Sequence, residues 1–451
     1  MVLSRSEEVV PADGFAFTYE GFDPAGEGLR EALTSTGNGF LCARGAAEWE
    51  DADGVHYPGT YAHGVYNRET TVLGGRPVLN EDLVNLPDWL VLKLRIEGGD
   101  AFRLGEVELL DRHEFDIRNA MVIRKLRFRD RAGRETKLRS RRFVSMADVH
   151  HGGVEWTLTP ENWSGRVEVV SALDGLNGEA YRGHVFWDEL YIYPFLNFRM
   201  PQVTRELLLY RYRRLGAARA AAREAGFRGA MFPWQSGSEG TEETQSIHLN
   251  PLSGRWEPDL SRNQRHVNAA IFYNIWHYFQ ATQDLAFMRD YGAEMMLEIA
   301  RFWASIARFN PERDRYEIHG VMGPDEFHEK YPGAEDGGLR NNAYTNVMVA
   351  WLCGVARDVL LLLPATRAAA LRDRLGLDDE ELRTWESMSR RMFVPFHGDG
   401  IISQFEGYAE LEELDWDAYR AKYGNIQRLD RILRAEGDDP AVTRWPSRPT
   451  R

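Results

Sequence analysis

Residues Gly320–Asn346 read GVMGPDEFHEKYPGAEDGGLRNNAYTN. An acidic pair, Asp325-Glu326, directly follows Gly323-Pro324, and a second glycine run leads to the polar-aromatic patch Asn341, Asn342, Tyr344 and Asn346. Gly and Pro mark a loop here rather than the middle of a helix. On either side the apolar residues recur with a helical period, over Ala286–Phe309 and over Tyr344–Leu362. A carboxyl on a loop held between helices can point into a cleft, where Asn and Tyr side chains would hydrogen-bond a polyhydroxylated ligand. The same residues also suit a solvated acidic loop.

Two further stretches join aromatic rings to carboxylates and amides: Gly183–Asn197, GHVFWDELYIYPFLN, and Phe232–Gln245, FPWQSGSEGTEETQ. Sugars are held in this way, with rings against their apolar face and carboxylates or amides accepting from hydroxyls. Core packing is the alternative for any one of the three clusters.

Working outward, Pro201–Gly226 reads as one long helix, and Asn268–Gln280 and Glu380–Phe393 carry the same period. The first 174 residues read differently. Val91–Ile96, Met121–Phe128, Gly153–Leu158 and Arg166–Ser171 are apolar or alternating runs of strand length, separated by Gly, Asp and Asn turns. Alternation suits an antiparallel sheet with one solvated face. The layout is α+β multidomain: an antiparallel β-sandwich followed by an α-toroid.

Composition narrows the function. The 451 residues carry a net charge of −14, which argues against nucleic acid and anionic membranes as partners. No apolar run approaches the length of a membrane span, and Met1–Gly14 lacks the apolar core of a secretory signal. The two cysteines, Cys42 and Cys353, are far apart and fit a reducing, cytoplasmic setting. His266, His277 and His328 share no metal-ligand spacing, so no metal is expected.

STGNGFLCARG (Ser35–Gly45), YPGTYAHGVYN (Tyr57–Asn67) and LVNLPDWL (Leu83–Leu90) resemble the N-terminal domain of glycoside hydrolase family 65. GEAYRGHVFWDEL (Gly178–Leu190), the Phe232–Gln245 stretch, GVMGPDEFHE with NNAYTN, and Gly424–Pro440 resemble its catalytic barrel, in family order. The resemblance implies a β-sandwich, a helical linker, an (α/α)6 barrel and a small C-terminal β-domain. Two departures stand out. Ser171–Gly175, normally inside the sandwich, runs directly into a catalytic-region motif, and the tail after Pro440 is Arg/Pro-rich and unlike a barrel helix. The expected domains are a partial sandwich over 1–174, a partial barrel over 175–440 and a non-family tail over 441–451.

The family implies inverting phosphorolysis of an α-linked glucose disaccharide, with inorganic phosphate as co-substrate and no cofactor. An inverting hydrolase needs two carboxyls about 6.5–9.5 Å apart, whereas a phosphorylase needs only the acid because phosphate is already a nucleophile. By resemblance Glu326 is that acid, and Asp325 and a closed cleft would raise its pKa. Trp187 and Asp188 would hold the glucose. Trp234, Gln235, Glu242, Glu243, Asn342 and Tyr344 would line or orient the site, and His266 is more often a structural histidine. A homodimer is a further implication. A hydrolase using Glu242 or Glu243 as base, and an inactive carbohydrate-binding remnant, are the competing readings. The family's Lys-Gln helix and His–Ser/Thr loop for phosphate have no copy here, so weak or absent phosphorolysis is expected of this chain.

Overall fold

The computed structural model describes residues 15–73, 75–116, 118–175, 183–426 and 428–444; the N-terminal stretch, most of the junction after Gly175 and the tail after Arg444 lie outside them. Two compact units result, Leu3–Glu69 with Glu81–Gly183, and Thr70–Asn80 with His184–Arg451. Tyr66 Oη donates to the Gly183 carbonyl at 2.8 Å, and Asp88 and Asp174 bridge backbone to backbone.

The first unit is built on a five-stranded antiparallel sheet in the order Ala16–Glu20, Glu108–Asp116, Met121–Arg129, Glu135–Val144, Gly152–Pro160. Ser140 pairs with Arg124 on one side and Trp156 on the other. Alternation decides its faces: Val122, Arg124, Leu126 and Phe128 are buried, as are Thr136, Leu138, Ser140, Arg142 and Val144. Trp49, Leu94, Ile96, Phe102 and Leu104 complete the apolar core. A separate ribbon pairs Leu92–Ile96 with Val167–Ser171, whose Val167, Val169 and Val170 are exposed.

This core contains charge. Glu27, Glu31 and His56 bring ligand-type atoms within 4.8 Å of one another, a metal-capable grouping that sequence spacing does not reveal. Its atoms have protein partners: His56 Nδ1 with Glu31 at 2.8 Å, the Tyr57 amide to Glu31 at 2.9 Å, and Arg30 to Glu27 at 3.0 Å. Arg142 is likewise held by Glu48 at 3.3 Å and by the carbonyls of Arg44 and Ala46.

In the second unit the helices Glu189–Arg199, Val267–Thr282, Ala293–Ile306, Ala343–Leu362 and Asp379–Arg391 pack on one another around an apolar core. Phe272, Phe302 and Trp303 are fully buried there, and truncating any of them to Ala is expected to cost about 3–5 kcal/mol. Caps fix the ends: Asp378 accepts from the Glu381 amide, and Asn342 accepts from the Thr345 amide.

Two expectations need correcting. The long helix over Pro201–Gly226 is two, Pro201–Arg213 and Leu215–Glu224. Arg214 breaks it, its guanidinium reaching the Ser238 carbonyl at 2.7 Å and lying over Tyr210. Ala343–Leu362 is long and apolar enough, by length and composition, to cross a membrane. Its Val349, Leu352, Cys353, Ala356 and Val359 are instead buried against neighbouring helices, as in a core helix.

Candidate active site

The loop carrying Asp325 and Glu326 leaves a short strand, His319–Val321, that pairs with Leu339–Arg340. A hydrogen bond of 2.9 Å from the Met322 amide to the Asn263 carbonyl fastens its start. Gly323 is required by packing, since a Cβ there would lie 2.2 Å from Asn342 Nδ2. Glu326 follows in the left-handed region, with φ +57. That conformation is uncommon for a side-chain-bearing residue, and such strain collects at functional sites.

Asp325 is not free to act beside it. Its Oδ2 lies 2.6 Å from His328 Nδ1, and His328 Nε2 lies 2.7 Å from the Thr443 carbonyl. A carbonyl only accepts, so Nε2 donates to Thr443. The buried imidazole, packed edge-on against Phe405 and Tyr408, therefore ties the acid loop to the segment at Thr443.

The Glu326 carboxyl is exposed at its surface but closely surrounded, and its pKa is raised. Burial is the leading cause. Arg428 opposes it, Asp188 adds to it, the Gln264 amide opposes it, and Asp325 adds least. Asp188, distant in sequence, is thus a stronger like-charge neighbour than adjacent Asp325.

The aromatic residues come together. Trp187 is half-buried, with its ring 4.7 Å from His266, 6.1 Å from Trp234 and 6.4 Å from Tyr344. His266 is also 5.0 Å from Trp234 and 5.9 Å from Tyr344. Burial pulls the His266 pKa down to about 4, with the Met322 backbone and Asp325 opposing, so the ring is neutral at pH 7. Neither of its ring nitrogens has a well-formed hydrogen bond, although the side chain is 0% exposed.

Other residues expected at the site are occupied by the protein. Glu242 accepts from the amides of Trp234 at 2.9 Å and of Gln235 and Thr244 at 3.2 Å, and from the Thr244 hydroxyl. Trp234 is buried, Gln235 Oε1 meets His184 Nδ1 at 2.8 Å, and buried Glu243 accepts from Thr241 Oγ1 at 2.8 Å. Asn342 caps its helix and donates to the Gln404 carbonyl. These groups hold the loop in place: Phe232 at its start exchanges two hydrogen bonds with the buried side chain of Asn268. Sequence reasoning missed Gln264, and it gave no site role to His328 or Arg428 although both stand in the quoted GVMGPDEFHE and Gly424–Pro440 stretches.

Burial, Asp188 and Asp325 raise the pKa of Glu326, and similarity to known proteins gives the chain a family. The Glycosyl hydrolase family 65 central catalytic domain matches residues 161–444, and the family's N-terminal domain matches 17–210. The chain belongs to glycosyl hydrolase family 65. An uncharacterized glycosyl hydrolase of Mycobacterium tuberculosis H37Rv is 39% identical over 615 aligned positions, covering 97% of this chain and 46% of the relative. The chain thus spans under half of that relative's length. The aligned span exceeds the chain's 451 residues, so the relative carries residues between the matched ones that this chain lacks. Trehalose 6-phosphate phosphorylase of Lactococcus lactis is 30% identical over 91% of this chain and 73% of its own. Kojibiose phosphorylase of Halothermothrix orenii is 39% identical over 60% of this chain and 34% of its own. A solved chain named as a candidate kojibiose phosphorylase from the human microbiome shares the fold, with TM-score 0.75 at 16% identity over 96% of this chain and 77% of that one.

Proposed function

We propose that the chain carries the catalytic apparatus for inverting phosphorolysis of an α-linked glucose disaccharide to β-glucose 1-phosphate and the released sugar. The observation that carries the reading is Glu326: a residue with a left-handed backbone and raised pKa, influenced by Asp188, inside the stretch 161–444 that matches the family's central catalytic domain. The names of the L. lactis and H. orenii relatives support phosphorolysis as the chemistry.

In this reading Glu326 protonates the glycosidic oxygen while phosphate attacks the anomeric carbon from the opposite face. A raised pKa favours the protonated form that an acid catalyst needs. The indole of Trp187 offers its face to the glucose, Asp188 accepts from its hydroxyls, and Tyr344 completes the wall. Trp234, Gln235, Glu242, Glu243 and Asn342 shape the cleft from behind. The helices form part of an (α/α)6 toroid, and disaccharide and phosphate are the partners.

Hydrolysis on the same scaffold would need a base. Glu242 suits that role poorly, because its oxygens already accept from three amides and a hydroxyl. Incubating kojibiose, trehalose, trehalose 6-phosphate and maltose with and without phosphate separates the readings. Phosphate-dependent β-glucose 1-phosphate is expected; glucose released equally without phosphate would select hydrolysis.

A further inference from the structure

We propose that the chain pairs with a second copy of itself through the exposed face of the helix Glu189–Arg199. The helix has two unlike sides. Tyr193 and Asn197 are buried on one, with Tyr193 in the apolar core of the helical unit. On the other, Tyr191 is 67% exposed, Ile192 54%, Phe195 64% and Phe198 83%. Their three- and four-residue spacings place them on one helix face. A single exposed apolar side chain is ordinary, but three aromatics and an isoleucine within about two turns form a continuous patch, and such patches mark interaction sites.

The composition of the face selects its occupant. Two such helices packed antiparallel, with a two-fold axis at Phe195, set Phe195 against its own copy, Ile192 against Phe198 and Tyr191 against Arg199. Ring meets ring, ring meets aliphatic chain, and a guanidinium meets a phenol ring, each a favourable contact. Arg199 is exposed and has no hydrogen bond or ion pair with any described residue, so its guanidinium is available for that contact. No charged residue stands within Tyr191–Phe198, so no like charges meet across the axis. Antiparallel alignment also lays the positive N-terminal end of each helix beside the negative C-terminal end of the other. Such self-complementarity is what a two-fold interface requires. A membrane is a poorer occupant, because the helix lacks the run of Lys and Arg that holds an interfacial helix to lipid.

The area sets the strength. Aromatic side chains bury about 150–250 Å² each, so at these exposures the face offers roughly 500 Å² per copy. Two copies together reach the lower limit of about 1,000 Å² for a specific interface. The pairing is therefore weak and depends on concentration. Sedimentation equilibrium of the full chain across the micromolar range should show reversible exchange between one copy and two. Phe195→Glu sets two carboxylates against each other on the axis and should weaken pairing at least about tenfold. Because Phe195 is exposed, the thermal midpoint of the dilute variant should match that of the native chain.

The antiparallel register has its own test. Ile192→Lys and Phe198→Glu each put a charge into the interface, and each alone should weaken pairing. Mixed, the two variants should pair with one another more tightly than either pairs with itself. Lysine then meets glutamate across one half of the interface, and the other half keeps its native contact. A native chain that stays single at every concentration would overturn the proposal and hand the face to a different polypeptide. Pairing untouched by Phe195→Glu, or growth past two copies, would sink it equally. Mixed variants that pair no better than each alone would rule out the antiparallel arrangement about Phe195.

Discussion

The strand unit and the helical unit both pair buried charge internally, and they differ in what surrounds the acid loop. In the first, each buried charge discussed above holds a counter-charge: His56 faces Glu31, Arg30 faces Glu27, and Arg142 faces Glu48. The second does the same in its core, where Arg211 meets Glu189 at 2.9 Å and Arg301 meets Glu381 at 2.8 Å. Around the acid loop the ring nitrogens of His266 make no well-formed hydrogen bond, and Gln264 Oε1 has no partner among the described residues. Buried polar groups are normally satisfied, and those that are not call for a ligand or water. Internally paired charge therefore reads as architecture, and unpaired polarity beside an acid with raised pKa reads as a binding site.

The sharpest way to break this contrast is Glu326→Gln. Gln preserves the shape but cannot deliver the proton, so cleavage of any α-glucoside substrate should fall about 10²–10⁴-fold. The thermal midpoint should hold, because Glu326 is exposed and carries no structural ion pair. Near-parental turnover would remove Glu326 from the mechanism; a collapse in stability would make it a structural residue.

Next in size are the glucose contacts. Trp187→Ala should weaken glucose binding by about tenfold, in the range of an aromatic contact of 0.5–1.5 kcal/mol, with a smaller effect on stability because the ring is only half-buried. Asp188→Asn should do the same and also move the pH profile. Asp188 raises the Glu326 pKa, so its removal lowers that pKa. The acid then loses its proton at lower pH, and the alkaline limb of activity shifts downward. Large stability losses with unchanged glucose affinity would assign both residues to the core.

Sequence alone went far where the information is local. The acid loop, the Trp187-Asp188 motif and Tyr344 stand in continuous stretches, and the structure gathers Trp187 and Tyr344 with His266. Local composition leaves more than one role open. Glu242 and Asn342 have the chemistry of sugar ligands, but the same chemistry satisfies loop amides and caps helices, and there the structure spends it. What tunes Glu326 was legible in part: burial and Asp325 raise its pKa as the sequence implied, whereas Asp188, Gln264 and Arg428 reach it across the fold. The break at Arg214 is of the same kind, since its bond to the Ser238 carbonyl is tertiary and leaves no trace in periodicity.

His328 tests whether the acid loop borrows rigidity from elsewhere in the helical unit. His328→Gln would leave the Asp325 carboxylate and the Thr443 carbonyl short of a buried donor. The expected loss is about 1–3 kcal/mol of stability, together with freer exchange of backbone amides around Thr443. Unchanged protection at both ends would show that the imidazole fills space without tying them.

The smallest effect belongs to the strand unit and concerns His56. Burial alone would lower its pKa, but the hydrogen bond from Glu31 and the charges of Glu50, Glu31 and Asp53 outweigh it, and the net shift is upward from 6.5. Arg30 and Arg124, which face Glu27 in the same cluster, stay charged throughout this range and do not titrate with it. A group whose folded pKa is raised contributes stability that is complete below its unfolded value and is lost as pH rises through the folded value. The His56 contribution is therefore largest at pH 6 and fades toward alkaline pH. Thermal unfolding of the native chain and of His56→Asn, compared at pH 6 and pH 8.5, should show a stability difference that shrinks at the higher pH. A His56→Asn deficit of equal size at both pH values would mean that the imidazole serves as a neutral filler, and that the strand unit's buried acids are balanced by its arginines alone.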